Sequence, residues 1–145
     1  MSGGRWPSTR FDPCASHAVV GSEEAQGLLW GAEPEGWASH ERNHVPLFRA
    51  MIEAAGIGAG THVLDIGCGA GHSSALIRAA GATVVGVDAA PGMVDYATKT
   101  FEGIDFRVGG IEELAFGDDE FDVVFAANCV QYAADLGTAL EELQR

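Results

Sequence analysis

The chain has 145 residues, of which 47% are hydrophobic, so it is long and apolar enough for one globular domain with a buried core. Its 21 acidic residues against 8 lysines and arginines give a net charge of −13. This charge disfavours DNA or RNA as a partner and favours a neutral or cationic small molecule. Solubility alone explains the charge equally well. No apolar run approaches the roughly 18 residues of a membrane-spanning helix, so no contact with a membrane is predicted.

Residues 1–22 are predicted to form a disordered tail. They contain Arg5 and Arg10, but His17 interrupts their short apolar patch. The stretch is therefore a poor signal peptide, and a tail without fixed structure explains it better.

Residues 23–60 are predicted to form two or three short helices, broken by Pro34 and Gly36. The last of these helices is the clearest, because four residues recur at helical spacing: Leu47, Met51, Ile52 and Ala55. Gly56 follows them at the position of a C-terminal cap.

After residue 60, short apolar runs alternate with helical patterns. Four runs lack the alternation of a half-exposed strand and are typical of strands buried on both faces of a parallel sheet: HVLDI, TVVGVD, DFRV and FDVVFAAN. Helices are predicted between and after them, over 71–80, 91–101 and 136–145. This alternation predicts a three-layer α/β domain over residues 61–145, with right-handed crossovers.

A glycine-rich segment, VLDIGCGAGHSS, follows the first predicted strand at the edge where parallel α/β sheets bind ligands. Gly67, Gly69 and Gly71 allow a sharp turn and a close approach to a ligand, and the next helix offers free N–H groups to an anion. A tight strand-to-helix turn is the alternative explanation of the glycines alone. The dinucleotide fingerprint requires glycine where His72 stands, which argues against a nicotinamide oxidoreductase. Asp65, two residues before the first glycine, would repel a pyrophosphate but can accept hydrogen bonds from an ammonium group.

The second predicted strand ends in Asp88, beside the glycine segment. A carboxylate at this place can accept two hydrogen bonds from a ribose diol. A surface aspartate without function is the alternative, but the position at a strand end favours ribose binding.

Three segments together resemble the successive motifs of the class I S-adenosylmethionine-dependent methyltransferases, in particular the methyltransferase type 11 family of small-molecule enzymes: VLDIGCGAG, VVGVDAAPGM and FRVGGIEELAFGDDEFDVVFAANCVQYAAD. The resemblance runs from about residue 30 to the end of the chain. It implies a Rossmann-like sheet with strand order 3-2-1-4, S-adenosyl-L-methionine as cofactor, and methyl transfer to a small molecule by in-line displacement. It also implies that residues 23–60, with Trp30 and Trp37, form the helical lid of such an enzyme, although ordinary packing explains these helices nearly as well.

The resemblance also assigns cofactor-binding residues. It places the methionine end of the cofactor at Asp65, Gly67, Gly69 and Gly71, the ribose at Asp88, the adenine between Ala89, Met93, Gly110 and Ile111, and the sulfonium near Asn128. Met93 and Ile111 are explained equally well as core residues. No catalytic residue is predicted, since the candidates by residue type are better explained as surface or packed histidines: His40, His44 and His72.

The sequence departs from the family pattern at three places. Gly110 stands where the family usually has an aspartate that binds the adenine amino group, and Ala90 stands where the family tends to have a capping serine. The family fold has seven strands, whereas this chain ends shortly before a fifth, so strands 5–7 are expected to be missing and a truncated or incomplete gene product is expected. The fourth strand then becomes an edge, through which self-association is expected. The alternative function is therefore a non-catalytic fragment that binds S-adenosylmethionine or S-adenosylhomocysteine.

The three cysteines, Cys14, Cys68 and Cys129, stand far apart with no C-x-x-C pair. This spacing argues against a zinc site and against a disulfide framework, so no metal is predicted. Free thiols fit a reducing compartment, and a cytoplasmic location is expected.

Overall fold

Four parallel strands form one sheet in the computed structural model, which describes residues 23–145. The strands are β1 (His62–Ile66), β2 (Thr83–Asp88), β3 (Asp105–Val108) and β4 (Val123–Ala126). Their order, β3-β2-β1-β4, confirms the predicted order 3-2-1-4. In this register Leu64 of β1 lies between Val85 of β2 and Val124 of β4. The predicted tail, residues 1–22, lies outside the described residues.

Six α-helices accompany the sheet within the described part of the chain: α1 (Glu23–Trp30), α2 (Pro34–Glu41), α3 (Val45–Ala54), α4 (His72–Ala79), α5 (Pro91–Thr100) and α6 (Leu136–Gln144). Short 3-10 helices occupy Arg42–His44 and Val130–Tyr132. The break between α1 and α2 falls just before Pro34, as predicted, whereas Gly36 lies inside α2. No helix of residues 23–145 combines the length and the apolar character needed to cross a membrane.

Side chains of β1 point alternately to the two faces of the sheet, and each face is covered. Val63 packs with Ile52 of α3 and Ile77 of α4 in one hydrophobic cluster. Leu64 belongs to a second cluster, on the opposite face, against which Leu143 of α6 packs. Helices on both faces of a parallel sheet confirm the predicted three-layer α/β architecture.

The apolar face predicted for helix α3 agrees only in part with the burial of its residues. The helix ends at Ala54, and Gly56 has a φ of +65°, as expected of a residue that follows a helix C-terminus. Its buried residues are Phe48 and Ile52, whereas Leu47 is 51% exposed. Leu47 therefore lies on the edge of the apolar face, beside a cavity described below, and not in the core.

Strand β4 is shorter than its predicted run and lies at one edge of the sheet, paired with β1 alone. The backbone N–H and C=O groups on its outer side have no strand partner within residues 23–145. An unpaired strand edge pairs readily with a second chain.

We therefore expect the 145-residue chain to self-associate through β4. Sedimentation at several protein concentrations should show an average mass that rises with concentration. A monomer at every concentration would contradict this prediction.

Candidate functional site

A cavity of about 390 Å³ opens at the carboxyl ends of β1, β2 and β4, where open parallel sheets bind ligands. Most of the predicted cofactor-binding residues line it: Gly67, Gly69, Asp88, Ala89, Met93, Ile111 and Asn128. Residues of the N-terminal helices form the opposite wall: Gln26, Trp30, Trp37, His40, Glu41, His44, Leu47 and Phe48. The structure thus brings the strand ends and the N-terminal helices together around one cavity.

Asp88 is held in the cavity wall by two backbone amides. The N–H of Gly69 donates to its Oδ2 and the N–H of Ala90 donates to its Oδ1, both at 2.9 Å. Burial raises the pKa of Asp88, whereas these two hydrogen bonds lower it. Because a carboxylate has about four acceptor positions, Asp88 retains capacity for the hydroxyl groups of a ribose. The geometry is compatible with the predicted ribose contact, which stays a prediction.

Asp65 does not line the cavity, because its carboxylate is buried beneath the glycine segment. Its side chain points from β1 to the first turn of α4, where the hydroxyls of Ser73 and Ser74 donate to Oδ2 at 2.7 and 2.5 Å. Burial raises the pKa of Asp65 to about 6, and the two hydroxyl groups act in the opposite direction. Asp65 therefore anchors α4 to β1 in this structure, and its contact with an ammonium group stays a prediction.

Gly67 and Gly71 are required by contacts inside the protein. Both have positive φ angles, +65° and +90°. A Cβ atom on Gly67 would lie 2.3 Å from the Cβ of Cys129, and one on Gly71 would lie 2.9 Å from the ring of Phe106. A side chain at either position would therefore clash with neighbouring residues of the protein, whether or not a ligand is present. Gly71 lies behind the cavity wall, while Gly67 lines it.

Glu41 is a site residue that the sequence analysis missed. It is the last residue of α2, and its Oε2 accepts a hydrogen bond from the N–H of Ala70 at 2.9 Å, inside the glycine segment. Burial raises the pKa of Glu41 to about 7, and the nearby charges of Asp65 and Asp88 act in the same direction. No local signal marks Glu41, because its sequence neighbourhood is that of an ordinary polar helix end.

Aromatic rings line the side of the cavity that faces away from the sheet. The ring centroid of Trp30 lies 4.6 Å from that of Trp37 and 5.4 Å from that of Tyr132. The indole N–H of Trp30 donates to Gln26 Oε1 at 2.7 Å, which fixes the ring. Such a wall presents apolar and π surface to a ligand, and ring faces attract cations.

The three histidines considered by residue type occupy different places. His40 and His44 line the cavity, with ring centroids 5.6 Å apart. His72 begins α4, and its Nδ1 is buried without a hydrogen-bond partner, 3.5 Å from Glu41 Oε2. Burial lowers the pKa of His72, with the charge of Arg42 adding to the effect. His72 is therefore packed in this structure, and the absence of a catalytic role for it stays a prediction.

Asn128 follows β4 and lines the cavity in a backbone conformation with a φ of +62°. Asparagine tolerates this left-handed region better than most residues, and Oδ1 of Asn128 accepts from Gln131 Nε2 at 2.7 Å. The next residue, Cys129, donates through its thiol to the carbonyl of Ile66 at 3.2 Å. Burial raises the pKa of Cys129 to about 12 and that of Cys68 well above its usual range, so both thiols stay protonated and are poor nucleophiles.

The residues that are predicted to contact the adenine divide between two cavities. Met93 packs against buried alanines and also lines the main cavity, so it serves the core and the cavity wall together. Gly110 lines a second, adjoining cavity, and a Cβ atom on Gly110 would lie 3.2 Å from Glu23 Oε2. Glu23 of α1 thus lies against the space that a side chain at position 110 would enter. No group of three or more histidines, cysteines and acids within residues 23–145 is placed to hold a metal ion.

Residues 64–145 match the protein family described as "Methyltransferase domain". Among curated proteins, the chain is 42% identical to a malonyl-[acyl-carrier protein] O-methyltransferase of Yersinia pestis over 57% of this chain and 31% of that protein. It is also 42% identical to a ubiquinone biosynthesis O-methyltransferase of Azorhizobium caulinodans over 56% of this chain and 34% of that protein. The chain therefore spans about a third of the length of these relatives.

Among solved structures, the chain is similar to a TehB-like SAM-dependent methyltransferase of Corynebacterium glutamicum. The two share 28% sequence identity and superpose with a TM-score of 0.63, over 77% of this chain and 65% of the other. The sheet order, the cavity at the strand ends and the match over residues 64–145 agree with one another. The chain belongs to the class I S-adenosylmethionine-dependent methyltransferases.

Proposed function

We propose that this chain binds S-adenosylmethionine in its main cavity and transfers the methyl group to a small molecule. The observation that carries the proposal is Asp88, fixed by two amides at the end of β2 with acceptor capacity left on the cavity side. The two curated relatives are named as O-methyltransferases, which supports an oxygen atom as the acceptor. The apolar wall formed by Trp30 and Trp37 supports an acceptor with apolar or aromatic character.

The residues present fit the cofactor by their chemistry. Asp88 would accept hydrogen bonds from the ribose hydroxyls, and Ala89, Met93 and Ile111 would pack against the adenine. When bound, S-adenosylmethionine supplies a methyl group on a positively charged sulfur, and displacement at that carbon needs mainly proximity and alignment from the protein. Helices α1 to α3 supply the wall that would exclude water and align the acceptor, so residues 23–60 act as the lid of the site.

Replacing Asp88 with alanine should weaken S-adenosylmethionine binding by tenfold or more. Hydrogen bonds to a charged acceptor contribute about 1.5–3 kcal/mol, and about 1.4 kcal/mol corresponds to a tenfold change in Kd. Titration calorimetry measures the loss, with Asp95→Ala, an exposed acid on α5, as the matched control. Thermal unfolding of both variants shows whether the glycine segment stays folded. An unchanged Kd for Asp88→Ala would contradict the ribose assignment.

The alternative function is that of a fragment that binds the cofactor without turnover. Measuring cofactor binding and product formation on the same sample distinguishes it from a methyltransferase. The chain is incubated with S-adenosylmethionine and a panel of small hydroxylated aromatic and aliphatic acceptors, and S-adenosylhomocysteine is quantified. Product above the level of the Asp88→Ala variant supports methyl transfer. Saturable binding of S-adenosylmethionine, with no product formed from any of the acceptors, supports the non-catalytic fragment.

A further inference from the structure

Glu41 joins the N-terminal helices to the glycine segment. Its carboxylate reaches from the end of α2 to the N–H of Ala70 at 2.9 Å, and a Cβ atom on Gly69 would lie 3.3 Å from its Oε2. Asp88 holds the adjacent amide, that of Gly69, from the other side. Two carboxylates from different elements therefore hold consecutive amides of the segment, and both line the cavity.

The charges around this end of the cavity favour a cation. Glu41 and Asp88 are the acids among the lining residues drawn from 23–145, and no lysine or arginine is among them. Asp65 adds a third carboxyl group behind the wall. A positively charged group in the cavity would be attracted by the two lining carboxylates, whereas a carboxylate would meet them unfavourably.

We propose that Glu41 recognises the ammonium group at the methionyl end of the cofactor. The inference rests on the proposed function, because it assumes that S-adenosylmethionine occupies the cavity with its ribose at Asp88. Under this proposal, Glu41 of the lid positions the cofactor together with the glycine segment. Since Glu41 also bonds the Ala70 amide, the same carboxylate would join the lid, the segment and the ligand.

The groups that face Glu41 determine how binding depends on pH. Asp65 of β1 and Asp88 of β2 oppose its ionisation, while the amides of Ala70 and His72 favour it, and burial raises the pKa of Glu41 to about 7. The imidazole Nδ1 of His72 lies 3.5 Å from Glu41 Oε2, and burial lowers the pKa of His72. A bound ammonium group would lower the pKa of Glu41, so binding would release a proton.

The sign of the expected pH effect follows from this release. Below pH 7 the free protein carries a proton on Glu41 that must leave on binding, so affinity should rise as pH rises. For a pKa near 7, the expected gain between pH 6 and pH 7 is about fivefold. The α-amino group of the cofactor stays mostly charged over this interval, because such groups titrate near about 7.7–8.0.

The test uses three ligands with the 145-residue chain: S-adenosylmethionine, S-adenosylhomocysteine and 5′-methylthioadenosine, which keeps the adenosine but lacks the amino-acid end. Glu41→Gln keeps an oxygen that can accept from Ala70 but loses the charge. Glu35→Gln, an exposed position on the same helix, is the matched control. Calorimetry at pH 6 and 7, in two buffers with different ionisation enthalpies, measures both Kd and proton release.

We expect Glu41→Gln to weaken both ligands that carry an ammonium group by about tenfold, to abolish their proton release and pH dependence, and to leave 5′-methylthioadenosine unchanged. Equal losses for all three ligands would show a purely structural role and overturn the inference. Unchanged binding of all three would also overturn it while leaving the proposed function intact. If the wild-type chain binds none of them, the proposed function fails and the inference falls with it.

Discussion

Replacing Gly67 with alanine should lower the free energy of unfolding by roughly 2–5 kcal/mol. Gly67 has a φ of +65°, a conformation that costs a residue with a side chain about 1–2 kcal/mol. The new Cβ atom would also lie 2.3 Å from the Cβ of Cys129, so the loop after β4 must move, and such overpacking costs about 1–3 kcal/mol more. Urea unfolding, analysed with a common slope, measures the change.

Gly56 offers a matched control for this prediction. It has the same φ of +65°, but a Cβ atom there would meet nothing within 4 Å. Gly56→Ala should therefore show the backbone cost alone. The double variant Gly67→Ala with Cys129→Gly removes the clashing atom, so the two substitutions should be less harmful together than their sum. Equal losses at Gly56 and Gly67, or strict additivity in the double variant, would contradict the packing argument.

The sheet and its helices could be predicted from the sequence because their signals are local. The bounds of β1, β2 and β3 agree with the apolar runs that predicted them. Each of these runs is bounded by turn residues, and β1 and β2 hold side chains that are buried between two layers. The prediction of burial on both faces is wrong for β3, because this strand lies at an edge of the sheet and only Phe106 is partly buried. Strand β4 was predicted too long, because Phe121 fits a strand by type and the predicted run was extended as far as Asn128. Asn128 instead adopts a left-handed conformation, which no strand contains.

The cavity wall opposite the sheet could not be predicted in the same way. Glu41 and Ala70 are 29 residues apart, and Cys129 lies against Gly67 from beyond β4. Such contacts depend on how separate elements pack, which periodicity and composition do not determine. Asp65 illustrates the same limit, because its place in the motif predicted a carboxylate near a ligand, whereas the structure buries it against Ser73 and Ser74. The motif therefore identified Asp65 as a site residue but did not predict its hydrogen bonds with Ser73 and Ser74.

Asp65 and Glu41 together should make the protein more stable at pH 5.5 than at pH 8. Burial raises the pKa of Asp65 from 3.8 to about 6 and the pKa of Glu41 from 4.5 to about 7. The folded state therefore binds these protons more tightly than the unfolded state, and the stability they provide is lost as pH rises from about 4 to about 7. One pKa unit corresponds to about 1.4 kcal/mol, so Asp65 accounts for an effect on the order of 3 kcal/mol across the whole range, most of it below pH 5.5, whereas Glu41 with its higher pKa accounts for most of the change between pH 5.5 and pH 8.

Asp65→Asn should flatten this pH dependence. The asparagine keeps an oxygen that can accept from Ser73 or Ser74 but no longer buries a charge at pH 8, so the variant should gain stability relative to the wild type at pH 8, and this gain should shrink as pH falls through about 6 towards 4. Urea unfolding across this range measures the effect, with Asp95→Asn on the exposed face of α5 as control. His72 acts in the opposite direction, because burial lowers its pKa and its contribution to stability falls as pH decreases below about 6.5. If the stabilities of the wild type and of Asp65→Asn change in parallel with pH, the buried carboxylate of Asp65 does not cause the pH dependence of folding.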